Sequence, residues 1–312
     1  MTARAVELEV EGRRIPVRNL DKVLYPEAGF TKRDVIDYYV RISPALLPHL
    51  HERPLTLKRY PEGVEGAFFY EKRCPSYRPS WLRTAPIWSE GNREDIRYCL
   101  VDDVAALVWL GSIADLELHT PLALARDFER PTTLAFDLDP GPPADVVSCC
   151  EVALHLRRLM DRLGLASYPK TSGSKGLQVY VPLDGSESYD VTKAFAHAVA
   201  RLLERAHPDL VVERMAKSLR GGKVLVDWSQ NDRNKTTVCA YSLRARSRPT
   251  VSTPLRWSEV EHAARARRGD GLAFEARDVL ERVAKHGDLF APVLSRRQRL
   301  PDAAVLGRAS AR

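Results

Sequence analysis

Three acidic residues stand where apolar runs end. Residues 133–141 read Thr-Leu-Ala-Phe-Asp-Leu-Asp-Pro-Gly, so the run closes on Asp137 and Asp139 and is stopped by Pro140-Gly141. Successive side chains of a strand point to opposite faces, so residues i and i+2 project from one side. Two carboxylates held so close are costly unless a cation neutralises them. Hard divalent ions such as Mg²⁺ or Mn²⁺ take oxygen ligands in this arrangement. Residues 224–231, Val-Leu-Val-Asp-Trp-Ser-Gln-Asn, place Asp227 at the end of a second apolar run. Three carboxylates can hold two metal ions roughly 3.5–4 Å apart, one for an attacking oxygen and one for a leaving group. The alternative is a set of strand-end turns with solvated acids.

Lys170-Thr-Ser-Gly-Ser-Lys-Gly176 joins two expected strands. Glycine permits a tight turn whose N–H groups form an anion-binding nest. Ser172 adds a hydroxyl and Lys175 a point charge, which suits a triphosphate. The loop lacks the Gly-x-x-x-x-Gly-Lys-Ser/Thr spacing of a Walker A motif. A basic hairpin turn is the competing reading. Lys217, Arg220, Lys223, Lys235, Arg244, Arg246 and Arg248 surround the third acid in sequence. Most of them read as a solvated face, with Arg220 and Arg244 as the phosphate contacts. Gly221-Gly222 suggests that Arg220 rides on a mobile loop.

The elements that must position these residues read as mixed α/β. Val6–Gly12 alternates apolar and polar residues like a half-exposed strand. Thr31 is an N-cap, with Asp34 at N3, for a helix over Lys32–Leu50. A second helix is expected at about 101–114. Residues 53–75 read as strands and loops. From 132 onward the order is strand, helix (about 144–163), strands at 166–170 and 177–182, helix (189–206), and strands near 210–214 and 223–228. Helices return at 257–267 and 274–286, and a basic stretch from 294 reads as a frayed tail. The expected organisation is one catalytic domain over 1–295, with an N-terminal module of about 1–130, a motif-bearing module of about 131–295, and a tail at 296–312.

The chain has 312 residues, 44% hydrophobic and 29% charged, which suits a globular protein with a proper core. A net charge of +7 leans towards a polyanionic partner. The five cysteines are odd in number and include no Cys-x-x-Cys, so neither a disulfide framework nor a zinc site is expected. Reduced thiols in a soluble cytoplasmic protein follow, with no signal peptide and no membrane span.

Asp-Leu-Asp-Pro-Gly, Thr-Ser-Gly-Ser-Lys-Gly-Leu and Val-Asp-Trp-Ser-Gln-Asn, in this order, resemble the three motifs of the archaeo-eukaryotic primase superfamily. More narrowly, they resemble the polymerase domain of bacterial ligase D, over about Asn19 to Leu289. The resemblance implies an α/β (α+β) primase-like core, with an RRM-like sheet packed on a second α/β module. It implies metal binding and catalysis by Asp137, Asp139 and Asp227. It implies nucleotide contacts from His119, Ser172, Lys175, Gly176, Gln178, Arg220, Gln230 and Arg244. Lys22 and Lys32 resemble the family's pocket for a 5′-phosphate on DNA, and Phe68-Phe69 its template-stacking pair. Read without the family, these are a structural histidine, surface lysines and core aromatics.

The implied activity is template-directed, two-metal primer extension at gaps and DNA ends in non-homologous end joining, with Mn²⁺ or Mg²⁺ and a preference for ribonucleotides. NTPs or dNTPs are the substrates, DNA is the partner, and Ku and a ligase acting in trans accompany it at the nucleoid. Two other functions stay open: a DNA-end-binding module with weak or no catalysis, and a primase. The family's second motif usually ends in histidine, where this chain has Gln178. Glutamine can donate but cannot carry charge or shuttle a proton.

Overall fold

The computed structural model describes residues 5–301. Two compact units emerge. The first holds the residues up to Pro121, Val238–Ser252 and Phe274–Gly287; the second holds Leu122–Thr237, Thr253–Ala273 and the residues from Asp288 on. The expected contiguous modules are therefore interleaved, with the first break at 121/122. The later segments join the first unit by backbone pairing. Cys239 N–H donates to Leu118 O at 2.8 Å, Tyr241 N–H to Ser252 O at 2.7 Å, and Val251 N–H to Phe274 O at 2.9 Å.

In the second unit the order strand–helix–strand–strand–helix–strand–strand builds one sheet. Its strands lie in the order Tyr168–Thr171, Leu177–Pro182, Thr133–Pro140, Val224–Asp227, Val211–Val212. The first three interfaces are antiparallel and the last is parallel. This is the split βαβ arrangement of an RRM-like fold. The central strand alternates as expected: Leu134, Phe136 and Leu138 are fully buried, while Asp137 is half-buried and Asp139 exposed. Helix Val146–Arg162 packs on that strand with Cys149, Val152, Ala153, Leu156 and Met160, and helix Tyr189–Ala206 with Phe195, Val199 and Leu203. Burying such a side chain contributes about 1.5–3 kcal/mol, enough to fix which face of the strand stays open.

Unit one contains the longest helix, Lys32–Leu50. Its first turn carries the expected capping box: the Thr31 hydroxyl accepts from Asp34 N–H, and the Asp34 carboxylate accepts from Thr31 N–H at 2.7 Å. Val35, Tyr39, Ile42 and Leu46 form its buried stripe. Strands Thr56–Arg59, Phe69–Glu71 and Asp115–Thr120 lie side by side with Thr56–Arg59 between the other two.

Two expectations change. Cys74 and Cys99 are joined by a disulfide, and the other three cysteines are free and buried. An odd count excludes a full framework, not a single bond between residues that folding brings together; Cys74 N–H donates to Arg97 O on the strand that ends at Cys99. The start of the tail is also tied down. Gln298 donates its amide to Ala166 O and Pro182 O, both at 3.0 Å, and accepts from Ala166 N–H at 2.7 Å. The rest of the tail, 302–312, lies outside the described residues. Among the described residues no helix is long and apolar enough to cross a membrane.

Candidate active site

The acids of the second unit meet through strand register. Asp137 lies directly opposite Asp227 on one neighbouring strand and opposite Gln178 on the other. Gln178 in turn lies opposite Lys170. Lys170, Gln178, Asp137 and Asp227 thus form one transverse row on one face of the sheet, and Asp139 adds a further carboxylate two residues along. Burial, then Asp139, then Asp227 push the Asp137 carboxyl up to about 7. A hydrogen bond from Gln178 and the charge of Lys170 work in the other direction without winning.

Asp227 is buried and already engaged. Oδ1 accepts from Ser229 N–H at 2.9 Å and from its hydroxyl at 2.6 Å, while Oδ2 accepts from the Gln230 amide at 2.7 Å. Gln230, expected at the nucleotide, thus serves the third acid. Asn231 ties this turn to the central strand. Its Oδ1 accepts from Ala135 N–H at 2.9 Å and its Nδ2 donates to Ala135 O at 2.7 Å, two residues before Asp137.

Hard oxygen donors and a carboxyl pushed up by burial and two neighbouring acids both fit a divalent ion. Among the described residues no three acidic, histidine or cysteine side chains already surround one point. The Asp227 oxygens cap their own turn, and each retains lone-pair capacity for a metal.

The loop beside this row closes on itself. Ser172 N–H donates to Gly176 O at 2.9 Å, and the N–H groups of Ser174 and Gly176 point at Ser172 Oγ at 3.2 Å. Lys175 at the tip is exposed. Gly176 answers to close packing, since a Cβ there would sit 2.0 Å from Leu138 O. Gly141 is equally constrained: a Cβ would meet Arg220 O at 1.9 Å. The Arg220 loop is therefore laced to the end of the central strand. Gly222 N–H donates to both Gly141 O and Pro142 O, at 3.0 and 3.1 Å, where free glycines were expected. Arg220 donates to Met215 O through one guanidinium nitrogen, and its buried Nε has no hydrogen-bond partner among the described residues.

Gln178, which the resemblance implies at the nucleotide, lies in the row between Lys170 and Asp137. Its side chain is buried, Lys170 Nζ donates to its Oε1 at 2.6 Å, and its amide donates to Asp137. Both ends of the amide are used inside the protein rather than presented to a nucleotide.

The first unit has its own organising group, Glu117, which sequence reading passed over. Oε1 accepts from Lys58 Nζ at 3.2 Å, Tyr60 OH at 3.3 Å and Ala245 N–H at 3.1 Å. Oε2 meets His119 Nε2 at 2.9 Å and Arg244 Nε at 3.3 Å. Burial opposes the Glu117 charge, but the His119 hydrogen bond, Arg244 and Lys58 outweigh it and hold the carboxyl well below its usual range. For His119 burial is again the largest influence, and it pushes the imidazole down despite Glu117. The pair is consistent as a carboxylate bonded to a neutral imidazole, with Arg244 and Lys58 supplying the countercharge. Because a carboxylate only accepts, Nε2 carries the proton and Nδ1 is the acceptor.

Lys58 Nζ also lies over Phe68 at 4.6 Å and over Tyr60 and Tyr70 at 5.4 Å from each centroid. Phe68 and Phe69 are 51% and 44% exposed, and Tyr70 and Tyr77 are more so. These rings are an exposed shelf rather than core, with the Arg59 guanidinium 5.1 Å from the Phe69 centroid. Tyr70 and Tyr77 belong to it; the only signal in the sequence was their place among Arg, Lys and Phe.

Lys22 and Lys32 are brought together by backbone pairing, Lys32 N–H to Lys22 O at 2.9 Å. Lys32 Nζ donates to Ser112 O at 2.8 Å and Arg18 O at 3.1 Å, and Lys22 pairs with the exposed Glu62 at 2.7 Å. Burial, then Lys22, then Arg59 push the Lys32 ammonium down, a penalty that an anion would relieve. Lys32 is also the first residue of its helix, where the dipole favours negative ligands.

The chain resembles known proteins over most of its length. Residues 31–290 match the family model described as LigD, primase-polymerase domain. The multifunctional non-homologous end joining protein LigD of Mycolicibacterium smegmatis is 42% identical over 282 residues, which is 90% of this chain and 36% of that protein. The bifunctional LigD of Bacillus subtilis is 33% identical over 94% of this chain and 46% of its own length. The chain thus spans between about a third and a half of these curated relatives. Its fold matches the polymerase domain of Mycobacterium tuberculosis ligase D in complex with DNA, with a TM-score of 0.84 and 38% identity, covering 91% of this chain and 99% of that one. The sheet order, the acidic row and the motif sequence therefore have one source: this chain belongs to the LigD primase-polymerase domain family.

Proposed function

We propose that this chain is a template-directed nucleotidyltransferase that extends primers at DNA gaps and broken ends. The observation that carries the reading is the register that sets Asp137 against Asp227, with Asp139 beside them, on one face of an RRM-like sheet. Asp137, Asp139 and Asp227 would hold Mn²⁺ or Mg²⁺. Bound there, two such ions would activate a primer 3′-hydroxyl and neutralise the leaving pyrophosphate. The chain's own residues do the rest. Ser172, Lys175, Gly176 and Arg220 cradle the triphosphate, with the positive charge coming from Lys175 and Arg220. Gln230 and Asn231 hold Asp227 in place. In the first unit, Glu117 orients His119 and Arg244 as nucleotide contacts. Lys22 and Lys32 bind a 5′-phosphate, and Phe68 and Phe69 stack on a template strand. Ribonucleotides are the preferred substrate. A DNA ligase and Ku are the proposed partners at the nucleoid.

Primer extension on a gapped duplex with a downstream 5′-phosphate tests this. Metal-dependent addition, faster with ribonucleotides, is expected. Asp137→Ala and Asp139→Ala should each lower the rate by about 10³-fold or more, the scale of several kcal/mol of charge stabilisation. DNA binding that needs Lys22 and Lys32, without extension under Mn²⁺ or Mg²⁺, would leave the end-binding module instead.

A further inference from the structure

Lys170 is fully buried in the second unit, and no expected role uses it. It is among the largest completely buried side chains of the protein. A lysine placed so deep is costly unless its charge meets a partner. Its Nζ donates to Gln178 Oε1 at 2.6 Å, and its charge is felt at Asp137, the next residue but one along the row.

We propose that Lys170 and Gln178 act as a positioning pair that sets Asp137 to receive the divalent ion, so that Gln178 serves the metal site from the neighbouring strand rather than the nucleotide. The inference rests on the reading of Asp137 as a metal ligand. An ammonium only donates and a carboxylate only accepts. Between them, across one sheet, stands a group that must accept on one side and donate on the other. An amide does this in one orientation only. Lys170 fixes that orientation by taking the oxygen, which commits the Gln178 NH₂ to Asp137. Removing Lys170 frees the amide to flip, and its oxygen then repels the carboxylate. A neutral imidazole has the same polarity, one acceptor and one donor, so a histidine at 178 could bridge in the same way. Gln178 thereby keeps the bridge while giving up the option of charge. Groups that orient metal ligands from behind are typically worth about 10–100-fold in metal affinity.

Mn²⁺ binding to the nucleotide-free, DNA-free protein, followed by the electron paramagnetic resonance signal of free Mn²⁺, separates this from other roles. Asp137→Ala should abolish the tight site. Lys170→Met and Gln178→Leu should each weaken it about tenfold. The double variant should be no worse than either single one, because the two act as one unit. Gln178→His should bind within about threefold of the natural protein, and this comparison stands even if Lys170→Met fails to fold. Unchanged Mn²⁺ binding in Gln178→Leu would overturn the proposal while Asp137→Ala still loses the ion. So would additive losses in the double variant, or equal affinity in Gln178→His and Gln178→Leu. A raised nucleotide KM in Gln178→Leu with unchanged Mn²⁺ affinity would return the residue to the nucleotide. If Asp137→Ala itself keeps the ion, the metal reading fails and takes this inference with it.

Discussion

The two units solve opposite electrostatic problems. In the second, carboxylates are set against one another on a sheet face, and the Lys170–Gln178 pair relieves Asp137 only in part, leaving it near neutral pH. In the first, the Glu117 carboxylate is over-supplied with donors and held firmly ionised. An unrelieved cluster is unstable alone and gains from a ligand of opposite charge. A saturated one gains nothing from a ligand and serves to hold its neighbours still. Strain marks where something is to be bound, and saturation marks what does the holding.

The largest effect that could break this contrast is expected at Glu117. Glu117→Gln removes the charge shared by Lys58, Arg244 and the His119 N–H, leaving buried cations uncompensated, at a cost of about 3 kcal/mol. Chemical denaturation should show that loss, and nucleotide KM should rise as His119 and Arg244 lose their orientation. A variant as stable as the natural protein would mean that the saturated cluster is not what orders this unit.

A second effect sharpens the difference through pH. Asp137 keeps its proton to about 7 when folded, whereas the unfolded chain releases it near pH 4. Between those values the unfolded state binds fewer protons, so the metal-free protein loses stability as pH rises, by about 4 kcal/mol at most, and the curve flattens above pH 7. Asp137→Asn should remove this slope and raise the melting temperature at pH 8. Mn²⁺ should do the same for the unaltered protein. Parallel melting curves for the two chains from pH 4.5 to 8 would show that the carboxylates do not repel one another in the folded state.

The smallest effect belongs to the exposed rings. Phe68→Ala or Phe69→Ala should weaken single-stranded template binding by about 1–2 kcal/mol each and leave the melting temperature nearly unchanged. A fall in stability without a fall in affinity would make these rings packing residues after all.

Much of this was legible in the chain. Thr31 and Asp34 announce the first helix because a capping box is local. The two-residue spacing of Asp137 and Asp139 places them on one face because the strand period is two. Lys170, Asn231 and Glu117 were not legible, although each is as well determined. Their meaning lies in partners 8, 96 and 128 residues away, at Gln178, Ala135 and Ala245. A lysine before a Thr-Ser-Gly loop reads as surface charge until the sheet closes over it. Gln178 was read from its motif, and register set it directly beside Asp137, with Lys170 on its other side. The Cys74–Cys99 bond was hidden for the same reason: 25 residues apart in sequence, their Cα atoms lie 5.0 Å apart.

The interleaving of the units carries a consequence for how the chain is made. The first unit takes in Val238–Ser252 and Phe274–Gly287, and everything from Leu122 to Thr237 belongs to the second. During synthesis the N-terminal segment must therefore wait, with the Leu118 carbonyl and its neighbours unpaired, until more than a hundred further residues have left the ribosome. The RRM-like sheet needs no such delay, since its five strands end at Asp227. The row of acids is thus complete once Asp227 has emerged, while the first unit waits for Phe274–Gly287.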